Sequence, residues 1–198
     1  MALARVFSRA QTGLQAELVT VEVHLAPGLP GLSIVGLPEA AVRESKDRVR
    51  AAIVSCGYEF PNRRITCNLA PADLPKEGGR FDLAIALGIL AASAQIPVEP
   101  LEQLEVLGEL SLSGEIRSVP GALPAALKAG AAQRALLVPD SNAAEACLAG
   151  HTTIHAAHHL GELCAALHSR SLPPVLLQPP PAPVTTLLPD LSDVRGQQ

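Results

Sequence analysis

Apolar and polar positions along the chain mark out a first region of strands near Ala4 to Arg9, Leu14 to Leu25 and Leu32 to Val35. A charged helix follows from Glu39 to Cys56, opened by Pro38, with Val42, Val49, Ile53 and Cys56 on its inner face and Arg43, Lys46 and Arg50 on an outer stripe. A strand over Arg64 to Leu69 leads into a loop, and after Arg80 the positions Leu83, Ala84, Leu87, Leu90 and Ala91 repeat with the spacing of one apolar helix face. Beyond it come strands near Leu104 to Leu110 and Glu115 to Ser118, a helix from Ala122 to Ala131 and a strand from Ala135 to Val138. Helices over Asn142 to Leu148 and His158 to His168 flank a strand over Thr152 to His155. Strands in hairpins first and β/α alternation later predict an α+β fold, a mixed sheet with packed helices. From Ser171 to Pro189 the composition shifts to Pro, Leu, Val and Thr, including the run Pro179 to Pro181. That segment reads as a semi-extended linker, which places the folded domain over residues 1–170 and the linker over 171–189.

The loop between the fourth strand and the apolar helix is the segment richest in chemistry. Pro71 and Pro75 interrupt regular structure, and Gly78 and Gly79 allow close approach of the backbone to a ligand or partner. Because the loop opens directly into a helix, its unpaired N–H groups favour an anion, and Lys76 and Arg80 reinforce that preference. Asp82 is expected to cap or charge the first helical turn beside Arg80, and this outweighs a paired-carboxylate role with Glu77.

Net charge is −4, but its distribution matters more. Residues 1–80 carry ten Lys and Arg against eight Asp and Glu, a net of +2, whereas residues 81–198 carry five against eleven, a net of −6. The basic excess belongs to the first part. Two readings of it stand side by side. Glu39 with Arg43 and Glu44 with Arg48 have the favourable i,i+4 order of a merely solvated helix. Alternatively, Arg43, Lys46 and Arg50, with Arg63 and Arg64, contact nucleic-acid phosphates, which attract Lys and Arg without base readout.

Nearly half the residues are apolar and only 2% are aromatic, so the core is built from Leu, Ala, Val and Ile. Scarce aromatics weigh against stacking of unpaired bases. No apolar run reaches the roughly 20 residues of a membrane span, and the N-terminus lacks a signal-peptide core, so a cytoplasmic protein is expected. The four cysteines, Cys56, Cys67, Cys147 and Cys164, show no close pairing and read as reduced structural thiols. Cys147, His151, His155, His158, His159 and Cys164 are ligand types for zinc at short spacings. The β-branched residues of HTTIHA favour a strand, in which His151 and His155 share a side but lie too far apart to chelate unaided. No metal site and no cofactor are therefore expected in this stretch. No GxxxxGK[ST] loop occurs, since the chain has no Gly-Lys dipeptide.

Three collinear segments, GLPGLSIVGLPEAAVRESKDRVRAAI (Gly28 to Ile53), RRITCNLAPADLPKEG (Arg63 to Gly78) and the loop and helix from Asn68 to Leu90, resemble the N-terminal domain of the ComM/YifB, or magnesium chelatase-like, AAA+ ATPases. The resemblance covers essentially the whole chain. DLSDVRGQ (Asp190 to Gln197) is similar to the lead-in of that family's ATPase module, so 190–198 is expected to begin a module that continues further on. The fold implied is similar to the Lon protease domain of the ribosomal S5 domain 2-like superfamily. In Lon-type enzymes a Ser follows a PKDG-like loop and a Lys follows a later hairpin. Here PKEG (Pro75 to Gly78) is present, but the nucleophile position reads Arg80 and the Lys position reads Leu123. Lys128 with Ser111 or Ser113 has no supporting spacing, so no catalytic residue is expected and a covalent route is closed.

The resemblance implies a hexameric motor that drives branch migration of DNA during natural transformation and homologous recombination, with ATP and Mg held outside this stretch. The domain's own role is then DNA engagement, ring assembly, or both, with Arg63, Arg64, Lys76 and Arg80 as foremost contacts. The rival expectations are a protein-interaction module without nucleic acid, and an accessory of a chelatase-like ATPase.

Overall fold

The computed structural model describes residues 2–175, with the side chains of Ala40, Ala41 and Arg43 outside the described residues. In chain order the elements are β1 (Ala2–Thr12), β2 (Gln15–Ala26), β3 (Gly31–Val35), α1 (Ala40–Ser55), β4 (Arg64–Ala70) and α2 (Asp82–Ala92). They continue with β5 (Leu104–Val106), β6 (Glu109–Leu110), β7 (Ile116–Arg117), α3 (Ala122–Ala131), β8 (Ala135–Pro139), α4 (Ala143–Cys147), β9 (Ile154–Ala157) and α5 (Leu160–Ser169). Short 3-10 turns stand at Glu99–Leu101 and Asp140–Asn142.

β1 and β2 form a long antiparallel hairpin in continuous register from Ala2 opposite Leu25 to Thr12 opposite Gln15. The two-residue turn is Gly13 and Leu14, and Gly13 supplies the positive φ that such a turn needs at its first position. Around this hairpin a seven-stranded mixed sheet assembles in the order β3-β4-β2-β1-β5-β8-β9. β4 runs antiparallel to β2, while β3, β5, β8 and β9 join by parallel pairings. The α+β expectation of a mixed sheet with packed helices therefore holds.

Alternation along the strands sends side chains to two helical layers. Val6, Val19, Val21, Val23, Ile65, Cys67 and Leu69 join the core shared with α1, α2 and α5. Ala16, Leu136, Val138 and Ile154 face the other way and build a second core with α3 and α4. β8 shows the switch within one strand, since Leu137 packs in the first core and its neighbours in the second.

Between β1 and β5 the sheet is held by a single residue pair, Phe7 and Glu105. There the buried Glu105 carboxylate accepts Arg9 Nε at 2.6 Å and Arg9 Nη2 at 2.7 Å, with Arg134 Nη1 at 3.4 Å. Arg134 also lies over the Phe7 ring, 4.1 Å from its centroid. A bidentate, water-excluded pair of this kind fixes orientation where backbone pairing is sparse.

Two elements differ from the sequence reading. α2 is buried at every residue and not on one face only, because it lies between the β1–β2 hairpin and α1. A Cβ on Gly88 would stand 2.6 Å from Val23 Cγ2, so the glycine lets α2 approach the sheet closely. The strand expected over Leu104 to Leu110 breaks in two. At Gly108 the chain leaves the main sheet and crosses the start of α2, so that Gly108 N–H donates to Arg80 O and Gly108 O accepts Leu83 N–H. Among the described residues β6 then pairs only with β7. The first residues of the expected linker pack along β9: Val175 N–H donates to Ile154 O at 2.7 Å and Leu172 rests on the first core. The remainder of the linker and residues 190–198 lie outside the described residues.

Candidate functional site

The sequence-predicted cations fall at two opposite ends of the sheet. α2 separates them, with its N-terminus at the loop end and its C-terminus near Arg63, a span of about 16 Å for eleven residues.

At the loop end the expectation of exposed anion contacts is corrected. Lys76 has 0% of its surface exposed, and its Nζ donates to Pro71 O. Pairing between Pro38 and Lys76, with Glu39 N–H on Lys76 O, holds this stretch against the start of α1 and turns the side chain inward. Arg80 is 6% exposed. Its Nη2 donates to Gln11 Oε1 at 3.0 Å and Pro120 O at 2.9 Å, and its Nη1 reaches Arg9 O at 3.5 Å. Burial pushes both cations' pKa down, opposed by the nearby charges of Asp73 and Glu77 respectively. With both cations inside, Glu39, Glu44, Asp73 and Glu77 are exposed at this end, together with Arg117, which stands on β7 opposite Glu109. The start of α2 is also closed to an anion, because Asp82 N–H donates to Gly79 O and Leu83 N–H to Gly108 O.

Asp82 does not cap its own helix and does not pair with Arg80. The α2 cap residue is Phe81, without a side-chain bond. Fully buried, Asp82 accepts Ser45 Oγ, Arg48 Nε at 2.7 Å and Leu110 N–H at 3.2 Å. This binds α1, α2 and β6 together, and the bond to Asp82 raises the Arg48 pKa. Arg48 therefore belongs to a part-buried ion pair with Asp82, to which the expected i,i+4 neighbour Glu44 adds its charge. The signal for this was an acidic residue inside an otherwise apolar helix, FDLAIALGIL, which demands a partner from elsewhere.

A cleft of about 420 Å³ lies at this same end, lined by Gln11, Glu77, Gly78, Gly79, Arg80 and Glu109, among others. A Cβ on Gly79 would overlap the Glu109 side chain, which would have to swing aside. Glu109 and Gln11 went unnoticed in the sequence because neither carries a motif.

At the other end, Arg63 and Arg64 are adjacent, exposed, and in no ion pair among the described residues. They stand where β4 begins, beside the ends of β1, β2 and α2. Arg50 is exposed on α1 with its guanidinium 4.9 Å from the Phe60 ring centroid, just upstream of Arg63. Lys46, one turn earlier, is half-buried, and the side chain of Arg43 lies outside the described residues.

The position of the absent Lon-type lysine, Leu123, is half-buried with its N–H on Glu145 Oε1 at 3.0 Å. Ser111 Oγ lies 2.9 Å from Ser113 Oγ and accepts Glu115 N–H, so these hydroxyls shape the β6–β7 turn. His159 Nδ1 accepts Gly161 N–H and caps α5, while His155 Nδ1 lies 3.0 Å from Pro173 O. Burial pushes the Cys67 and Cys164 thiols up to about 12. All four cysteines are free, and among the described residues no group of three or more His, Cys, Asp or Glu converges to hold a metal. Among the same residues no helix is long and apolar enough to cross a membrane.

Comparison with known proteins places this architecture. The family described as subunit ChlI of Mg-chelatase matches residues 21–142. Over its whole length the chain is 50% identical to the protein YifB of Salmonella typhimurium and 46% identical to the competence protein ComM of Haemophilus influenzae. It covers 39% and 40% of those two proteins, so it spans about two fifths of their length. A Lon protease of Azorhizobium caulinodans is 29% identical over 144 residues, 68% of this chain and 16% of that protein. The domain is thus magnesium chelatase-like, with a weaker likeness to Lon proteases. The chain belongs to the family described as subunit ChlI of Mg-chelatase, and within it is similar over its whole length to YifB and ComM.

Proposed function

We propose that this chain is the N-terminal domain of a cytoplasmic, ring-forming AAA+ ATPase that moves DNA junctions, and that the domain engages the nucleic-acid backbone through its basic end. The whole protein would be a hexameric branch-migration helicase serving natural transformation and homologous recombination, in keeping with the competence name of the Haemophilus relative. ATP and Mg would be held by the part of the protein beyond this chain. The observation that carries the DNA reading is the adjacent, exposed Arg63 and Arg64, in no ion pair among the described residues, with Arg50 and Lys46 on the neighbouring helix. Lys76 and Arg80 drop out of the contact set because they are buried. A net acidic domain binds DNA weakly alone, so six linked copies would supply the avidity.

Fluorescence anisotropy of single-stranded, duplex and four-way-junction DNA at low and moderate salt tests this. Binding should fall steeply with salt, and the Arg63→Ala/Arg64→Ala double variant should lose it with a shallower slope, by about 0.9 per duplex phosphate contact removed. Lys76→Met should bind as the parent does. No binding at low salt would overturn the DNA reading. The second reading is then an assembly module, favoured by Leu29 and Leu37 on the loops flanking edge strand β3, which are 90% and 61% exposed.

A further inference from the structure

The loop-end cleft holds an electrostatic imbalance that the DNA reading does not use. Its 420 Å³ lie within the size range of small-ligand sites. Arg80 lines it, nearly fully buried, and forms no ion pair among the described residues. Its three hydrogen bonds all go to neutral oxygens, leaving Nε–H and one Nη1–H without an acceptor among the described residues. A guanidinium this deeply buried ordinarily stands against a carboxylate. Two carboxylates, Glu77 and Glu109, line the same cleft without an ion pair to it; the charge of Glu77 acts on Arg80 from nearby, and Glu109 also feels Arg48 and stands opposite Arg117. Gly78 and Gly79 keep side chains out of the space. An anion alone gains from Arg80 but meets two negative groups, and a cation alone meets the reverse. A ligand bearing both charges is complementary to all three.

We propose that this cleft binds a zwitterion of amino-acid size, its carboxylate on Arg80 and its ammonium group on Glu77 and Glu109. A free amino acid and a protein segment with adjacent acidic and basic side chains both present that chemistry, and the test separates them.

Isothermal titration of the chain uses four probes: free L-lysine, the capped dipeptide acetyl-Lys-Asp-amide, acetate and ethylammonium. One of the two probes that carry charges of both signs should bind about tenfold or more tightly than either probe of a single sign. Binding should also move the Arg80 Nε–H resonance in 15N–1H spectra. Preference for lysine or for the dipeptide names the source. Arg80→Gln should abolish binding. Because that variant risks the fold, Glu77→Gln at the exposed rim provides a second reading: it should weaken the zwitterion and tighten acetate, a change of opposite sign that a structural role does not produce. The proposal is overturned by equal affinity for acetate and the zwitterions, by no binding of any probe at about 10 mM, or by an unchanged affinity ratio in Glu77→Gln. Any of these outcomes leaves the DNA reading, which rests on Arg63 and Arg64, where it stands.

Discussion

Two segments of this chain look alike in sequence and end up with opposite surface charge. RR at positions 63 and 64 and PKEGGR at 75–80 each place two cations beside a strand or helix terminus. In the folded domain the first pair faces solvent, while Lys76 and Arg80 turn inward and leave Asp73 and Glu77 outside. The two cations expected on the loop surface are thus inside, with Arg117 exposed nearby, whereas Arg63 and Arg64 stay outside at the other end, beside Glu59. A surface potential is set by which side chains the fold leaves exposed, not by how many cations a segment carries.

Five substitutions break or sharpen that contrast, and a sixth serves as a control. The largest effect is expected from Asp82→Ala, which removes the acceptor of Ser45, Arg48 and Leu110 N–H at once. Urea unfolding should show a loss of about 3–5 kcal/mol. A loss below about 1 kcal/mol would mean that Asp82 does not organise the loop end.

Next come the arginines themselves. Arg80→Met strips three oxygens of their donor and should cost about 2 kcal/mol. Arg63→Met and Arg64→Met should stay within about 0.5 kcal/mol, as exposed substitutions do. Equal costs at all three positions would remove the distinction between the two ends.

Lys76 offers a pH test. Its folded pKa is lowered by burial, so the unfolded chain binds more protons between that lowered value and the ordinary 10.5. Stability should therefore rise with pH through that window. Lys76→Met should flatten the rise and stabilise the domain near neutrality by about 1 kcal/mol. An unchanged pH profile in the variant would show that the ammonium is solvated.

The smallest effect lies away from both ends and serves as a control on the core. Ser8 Oγ is buried on β1 with no hydrogen-bond partner among the described residues. Ser8→Ala should raise the urea midpoint, worth about 0.5–1 kcal/mol. A destabilised variant would reveal a partner for that hydroxyl.

The elements were largely legible because apolar periodicity reports which face of a segment meets the core. α3 begins and ends where the pattern places it, and the β1–β2 hairpin centres on Gly13. The pattern failed where a segment is covered on every side, as α2 is, since periodicity then marks no preferred face. It also failed at Gly108, where one residue redirects an apolar run from the main sheet to the start of α2. The buried polar pairs were illegible for a related reason. Asp82 with Arg48 and Glu105 with Arg9 join residues 34 and 96 positions apart, and nothing local predicts the partner.

By itself, then, the order of residues determined the family, the mixed sheet with its helices and the exposed start of β4, because these rest on local spacing and long collinear motifs. Only the tertiary structure decided which cations remain on the surface, how the start of α2 is closed, and where a buried guanidinium faces a cleft. Burial and ion pairing depend on what long-range packing brings alongside a side chain, and that is a property of the assembled core.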